Sequence, residues 1–231
     1  MKKLMSKVKD YFKGIFSEFG NISGAQLVLT VLAVSALLIS NVITSKQVLL
    51  PFNITMTGAV FIFPITYVLS DLFSEVYGYK YSRFVCYLSF AMNLLMVIVF
   101  SGVIASPAPS YWMNQEAFQT VLGSTPRVLV ASLMAFVIGG WADDIVFAKM
   151  KAKHLESHEG FGLRAITSSL MGELVDSLIF LPIAFLGQMP LTTLVVMTVM
   201  QVVIKTAYEV LILPVTTYVV KKVSKYEMEV K

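Results

Sequence analysis

Glu173 and Asp176 stand three residues apart inside the apolar stretch 165–186, and Lys205 and Glu209 stand four apart inside the apolar stretch 191–220. On a helix each pair shares a face; Ser169 and Gln201 extend the two stripes by one turn, with Ser177 and Tyr208 beside them. A charged group at bilayer depth costs about 2.5–3.5 kcal/mol even on a lenient insertion scale, so such residues face a protein interior or a wet cavity. Carboxylates accept hydrogen bonds and an ammonium group donates them. Two chemistries follow: recognition of a polar solute inside a bundle, or a structural ion pair whose opposite charges neutralise each other. Tyr67, Asp71 and Glu75 form a third stripe at four-residue steps, nearer the cytoplasmic end of its segment. Asn41 after Ser40, Arg127, and Asp143 before Asp144 mark segment ends, where an interface role and a functional one are both open.

Catalytic patterns are missing from the same inventory. His154 and His158 are four apart but belong to a polar loop, and no H-E-x-x-H, G-x-S-x-G or P-loop pattern occurs. Asp143 follows Gly139 and Gly140 without the Gly-x-Gly-Asp context of an intramembrane aspartyl protease. Cys86 is the single cysteine and lies in an apolar run, so one chain can form neither a disulfide framework nor a thiolate metal cluster. The expectation is a protein that is no enzyme and needs no cofactor. With no ATP site in the chain, any pumping must draw on an ion gradient, a separate motor subunit or the substrate's own gradient.

The elements that must position these side chains are membrane helices. Of 231 residues, 57% are hydrophobic and 14% charged, and mean hydropathy is +0.77, against roughly 25% charged in ordinary globular chains. A helix needs about 20 apolar residues to cross the hydrocarbon core. Six candidate spans are legible, at 25–43, 55–77, 84–105, 127–143, 165–186 and 191–220, the second starting late because Pro51 and Asn53 interrupt the run before it. Lys and Arg then orient them. Of 18 such residues, fifteen fall in the N-terminal segment, the second-to-third turn (Lys80, Arg83), the fourth-to-fifth loop and the C-terminal tail. Those connections are therefore cytoplasmic, as are both termini.

That topology also accounts for the formal charge of +4 without invoking nucleic acid. Before the first span, Leu4, Val8, Tyr11, Ile15 and Phe19 recur at helical spacing with lysines on the other faces, which predicts an interfacial basic helix over 1–24. Residues 221–231 read as a basic cytoplasmic tail. The outer connection 106–126, with Pro107, Pro109, Tyr111 and Trp112, reads as an aromatic anchor or small lid.

The fold class is thus all-α: a six-helix transmembrane domain over 25–220 around a polar cavity. Three helices per half would invert the halves relative to each other. The middle helix of each carries an acidic pair, Asp71 with Glu75 and Glu173 with Asp176, a pattern compatible with an inverted 3+3 repeat. Gly139, Gly140, Ala36 and Ser40 permit the close helix approach that a homodimer would use.

The run from Phe63-Pro64-Ile65-Thr66-Tyr67-Val68-Leu69-Ser70-Asp71 through Glu75-Val76-Tyr77-Gly78-Tyr79-Lys80 to Arg83 closely resembles the queuosine-precursor transporter family, also called the vitamin uptake transporter family. Other pieces fit in order: Ser40-Asn41; Arg127, Ala131-Ser132 and Phe136; Gly139, Asp143 and Phe147; Ser168-Ser169, Gly172, Asp176 and Phe180; Lys205, Glu209 and Pro214. The resemblance implies uptake of queuine or its cyano or aminomethyl 7-deazaguanine precursors across the bacterial cytoplasmic membrane, feeding modification of transfer RNA. It implies that Glu173 or Asp176 accepts from the base, that Lys205, Asn41 or Gln201 donates to it, and that Tyr67, Phe136 or Phe180 stacks on it. The competing class is a membrane substrate-binding subunit working with a separate ATPase. Such subunits often dock through an Ala-x-x-x-Ala pattern in the first helix, and 25–43 has none.

Overall fold

In the computed structural model of the chain, residues 22–153 and 161–230 are described. Most of the basic segment 1–24, with His154 and His158, lies outside them.

Ser23 opens the first helix, α1 (Gly24–Ile43), its hydroxyl accepting from the Gln26 amide at 3.0 Å as an N-cap. The chain then departs from the expected helix beginning near residue 55. Gln47–Leu50 (β1) and Ile54–Thr57 (β2) pair antiparallel, Leu50 opposite Ile54, across the three-residue connection Pro51–Asn53. Pro51 cannot donate to a helix and fixes its own φ, while Phe52 (φ 64°) and Asn53 (φ 58°) take the left-handed conformation that turns a hairpin. Val48, Ile54, Thr55 and Thr57 are β-branched, which favours the strands on either side.

A 3₁₀ stretch, Gly58–Phe61, leads to α2 (Phe63–Leu72), which loosens into a π-helical turn at Phe73–Tyr77. Gly78 (φ 81°) reverses the chain into α3 (Tyr79–Ala105). The outer connection carries a short helix, α4 (Gln115–Leu122), and then come α5 (Thr125–Lys153), α6 (Phe161–Phe185) and α7 (Leu191–Val230). The last runs straight through the residues expected as a separate tail.

Helix therefore occupies each of the six expected spans, with the hairpin as the departure from an all-α fold. Among the described residues, four stretches are long and apolar enough to cross a membrane: Gly24–Ile43, Lys80–Ala105, Gln115–Gly139 and Leu191–Glu229. Their outward residues, such as Val31, Val99, Val130 and Val203, stay exposed, which in hydrocarbon costs nothing.

Two packed clusters hold the ends. At the hairpin end, Met56 and Val60 insert among Ala131, Leu181, Phe185, Leu194 and Met197, all buried. The hairpin is buried on its β2 side, at Met56 and Thr57, while Leu49 and Phe52 on the other side are exposed. At the other end Leu69, Phe73, Tyr81 and Val85 cluster, and Tyr81 shares a 2.7 Å hydrogen bond with Thr30. There Glu227, near the end of α7, accepts from Tyr77 at 2.9 Å and from Ser23. The start of the first helix and the end of the last are thus brought side by side.

Arg127 closes the hairpin end of α6, donating through Nε to the Ile183 carbonyl at 2.5 Å and through Nη2 to the Leu186 carbonyl at 2.7 Å. These carbonyls belong to the helix's last turn, where no amide is in register to satisfy them and a cation meets the favourable end of the dipole. Arg127→Gln is expected to lower stability by about 1–3 kcal/mol, since bonds to a charged group are lost while the carbonyls stay in place. The check is the detergent-solubilised Tm, and an unchanged Tm would show that the clamp carries no load.

Candidate functional site

Between the two clusters lies a cavity of about 640 Å³, within the range of small-molecule sites. One wall comes from α6 and α7. Glu173 and Asp176 reach it from α6, the latter one turn before Phe180; Gln201 and Lys205 reach it from α7. The three- and four-residue spacings that put each pair on one helical face also put both faces on one hollow.

Lys205 Nζ donates to Asp176 Oδ2 at 2.6 Å, with the lysine side chain 9% exposed and the carboxylate 30%. Glu173 accepts from Thr206 at 3.5 Å. Close approach makes room for this: a Cβ on Gly139 of α5 would lie 3.0 Å from the Gly172 carbonyl and 3.2 Å from Asp176 Cβ. Glycine here lets α5 and α6 lie together without pushing Asp176 off its partner.

Two further polar side chains converge on the cavity with hydrogen-bonding capacity unused inside the protein. Asn41, on the last turn of α1, is 4% exposed and its Nδ2 has no partner among the described residues; Gln201 is 1% exposed and its Oε1 has none among them. A buried polar atom left unpaired costs about 1–3 kcal/mol, so such atoms mark a place where something else supplies the bond. The donor and the acceptor belong to residues that line the cavity. Aromatic surface is close by: Phe136 lines the cavity, 5.4 Å from the ring of Phe90, and Phe180 lines it 6.4 Å from Phe185.

Seven residues expected at a site are thus gathered around one hollow: Asn41, Phe136, Glu173, Asp176, Phe180, Gln201 and Lys205. Glu75 is not among them; it is exposed beyond the cavity, because the π-helical turn carries it past the end of the lining face. The side chains of Tyr67, Asp71, Asp143, Ser169 and Glu209 lie outside the described ones, and the backbone sets these residues on α2, α5, α6 and α7.

A second wall, from α2 and α3, was not anticipated. Ser70 and Ser74 line it from one side, and Ser82, Arg83, Cys86, Ser89 and Phe90 from the other. Arg83 reads in the sequence as a cytoplasmic loop charge. In the structure it sits within α3, its guanidinium 5.8 Å from the centre of the Phe136 ring. The signal that could have found this wall is the spacing 82, 83, 86, 89, 90, one helical face carrying the hydroxyls, the thiol and the guanidinium together.

Residues 57–219 match a family described as "Putative vitamin uptake transporter". Among curated proteins the chain is 29% identical over 171 residues to a "Probable queuosine precursor transporter" of Bacillus subtilis (strain 168), an alignment covering 74% of each chain. No solved structure matches the chain.

Proposed function

We propose, from the premise that this chain belongs to the vitamin uptake transporter family, that it imports a 7-deazaguanine queuosine precursor and reads it in the cavity between α1, α5, α6 and α7. One observation carries the reading: a Lys205–Asp176 pair at 2.6 Å shares a roughly 640 Å³ hollow with a buried amide donor on Asn41 and a buried amide acceptor on Gln201, neither paired among the described residues. A guanine-like edge presents adjacent N–H donors and a carbonyl. Carboxylates accept from the first; Lys205 and Asn41 donate to the second. Phe136 and Phe180 cover the flat faces. The resemblance of the relative named for queuosine precursors supports this choice of solute.

Six crossings of the bacterial cytoplasmic membrane, with both termini cytoplasmic, suit the same reading. An even number of crossings returns the end of α7 to the start of α1, and the Ser23–Glu227 contact supports this. Fifteen of 18 Lys and Arg residues then fall on the cytoplasmic side.

The test is equilibrium binding of 7-deazaguanine bases to the purified full-length protein, with adenine as the comparison. Saturable binding of deazaguanines at least ~10-fold tighter than adenine is expected, because adenine reverses the donor–acceptor pattern on its edge and leaves buried groups unpaired. Equal affinity for both, or none for either, would overturn the assignment.

A further inference from the structure

The cavity has two unlike ends. In α6, Asp176 and Phe180 line it, Leu181 and Phe185 are buried beyond them, and Leu186 at the end of the helix is exposed. In α7 the same order runs backwards: Leu191 is exposed, Leu194 and Met197 are buried, and Gln201 and Lys205 line the cavity. A dry plug therefore separates the cavity from the hairpin end. At the opposite end the lining is polar and reaches the surface. It begins near the start of α3 with Ser82 and finishes in the π-helical turn with Ser74, which is exposed, as is the 3.2 Å hydrogen bond between the two hydroxyls. The cavity opens there, on the cytoplasmic side in the topology proposed above.

Only part of the plug is free to move as a unit. Six of its eight buried residues are carried by α5, α6 and α7, and Arg127 of α5 ties down the last turn of α6. The other two, Met56 and Val60, come from the hairpin and the 3₁₀ stretch after it. The hairpin is packed on one side: Met56 and Thr57 are 0% exposed, whereas Phe52 at its tip is 95% exposed. Its ladder is internal, from Gln47 opposite Thr57 to Leu50 opposite Ile54, so it can tilt without leaving its paired backbone groups unsatisfied. Thr57 Oγ1 has no partner among the described residues. A buried hydroxyl left unbonded weakens the closed position and regains water when the hairpin lifts.

We propose that the hairpin Gln47–Thr57 is the outer gate of the transport path. Met56 and Val60 withdraw from the plug to admit solute from outside and return before it leaves past Ser74 and Ser82, which gives access from each side in turn. This rests on the uptake reading above, and the structure is then the inward-open state.

Cys86, the single cysteine, lines the cavity and reports on both faces. A membrane-impermeant maleimide is expected to label it at least ~10-fold faster in inside-out than in right-side-out vesicles. One thiol is compared with itself, so its intrinsic reactivity cancels. Equal labelling, or faster labelling from outside, would overturn the gate. Met56→Cys/Met197→Cys joins two fully buried members of the plug. Bridged by a short reducible bifunctional thiol reagent, it should lose uptake at least ~10-fold and regain it on reduction. Each single variant controls for reaction with Cys86. Binding of 7-deazaguanine bases to the bridged, purified protein should stay within about 2-fold, because the other end remains open. Uptake that survives the bridge, or binding lost with it, would also overturn the gate. Binding absent from the unmodified protein would instead sink the base site, and the labelling, which needs neither solute nor variant, would still decide the gate.

Discussion

Lys205→Met and Asp176→Leu each abolish uptake and each destabilise the protein, whereas the double variant regains its stability and stays inactive. The expectation follows from the asymmetry of buried charge. Lys205 is nearly enclosed in α7, and its Nζ lies 2.6 Å from Asp176 Oδ2. Removing one partner takes from the other its closest opposite charge in a low-dielectric site, against a loss of roughly 3–5 kcal/mol when a fully buried pair is broken. Asp176 is 30% exposed to the cavity, so both single variants should fall toward the lower end of that range. Removing both takes away the penalty along with the attraction, and well-packed apolar replacements of an ion pair are often neutral or stabilising.

Transport separates the two roles the pair can have. If the charges serve only each other, the double variant transports normally. If they bind the solute, it loses charge-assisted hydrogen bonds of about 1.5–3 kcal/mol each, and uptake at limiting substrate falls on the order of 100-fold. Initial uptake rates at matched membrane levels, with Tm in detergent as the stability readout, distinguish the cases. Uptake restored in the double variant would reduce Lys205 and Asp176 to a structural pair and remove the centre of the proposed site.

How much of this was legible beforehand depends on which physical rule governed each residue. The charges of α6 and α7 could be placed because hydrocarbon penalises them wherever they do not face inward, so position in an apolar run already implies a cavity. Asn41 was found by its place at the end of an apolar stretch; its unpaired amide became visible only when α1 was packed against its neighbours. Arg83 was misread because counting positive charges treats every Lys or Arg near a span end as a loop residue. A long side chain can instead run along its helix and deliver its head group elsewhere, here over Phe136. The hairpin escaped for a different reason. Its eleven residues, Gln47 to Thr57, carry no charge, and hydropathy carries no information on backbone direction. The cue was conformational, a proline followed by residues turning through left-handed φ, and it could be read as an interruption but not as a strand pair. Glu75 shows the complementary limit: a four-residue step keeps a residue on its helical face only while the helix remains α, and a π-turn rotates it away.

Gly58→Val is expected to inactivate the protein by a route that touches no solute-binding group. Gly58 follows β2 directly, and its amide donates to the Lys46 carbonyl at 2.7 Å, drawing the hairpin base tight against the end of α1. A Cβ at this position would stand 2.5 Å from the Ile43 carbonyl oxygen and 3.4 Å from that of Lys46. Both obstacles are backbone, so no rotamer change relieves the overlap and the hairpin must withdraw. Withdrawal carries Met56, fully buried, and Val60, 2% exposed, out of the cluster they form with Leu181, Phe185 and Met197. It also breaks the Gly58–Lys46 backbone bond at the hairpin's base. Overpacking alone costs about 1–3 kcal/mol, and the lost cluster adds to it, so a total of about 3 kcal/mol or more is expected. That is enough to lower membrane abundance several-fold. Gly102→Ala supplies the comparison: nothing lies within 4 Å of its added methyl on α3, and alanine in a helix interior is worth roughly 0.5–1 kcal/mol over glycine. It should raise Tm slightly and leave uptake unchanged. The cavity's lining reaches Ala59, the residue after Gly58, so displacement of the hairpin removes the cavity's apolar end as well as stability. Gly58→Val protein that keeps both its Tm and its uptake would show that the hairpin is not seated where the packing puts it.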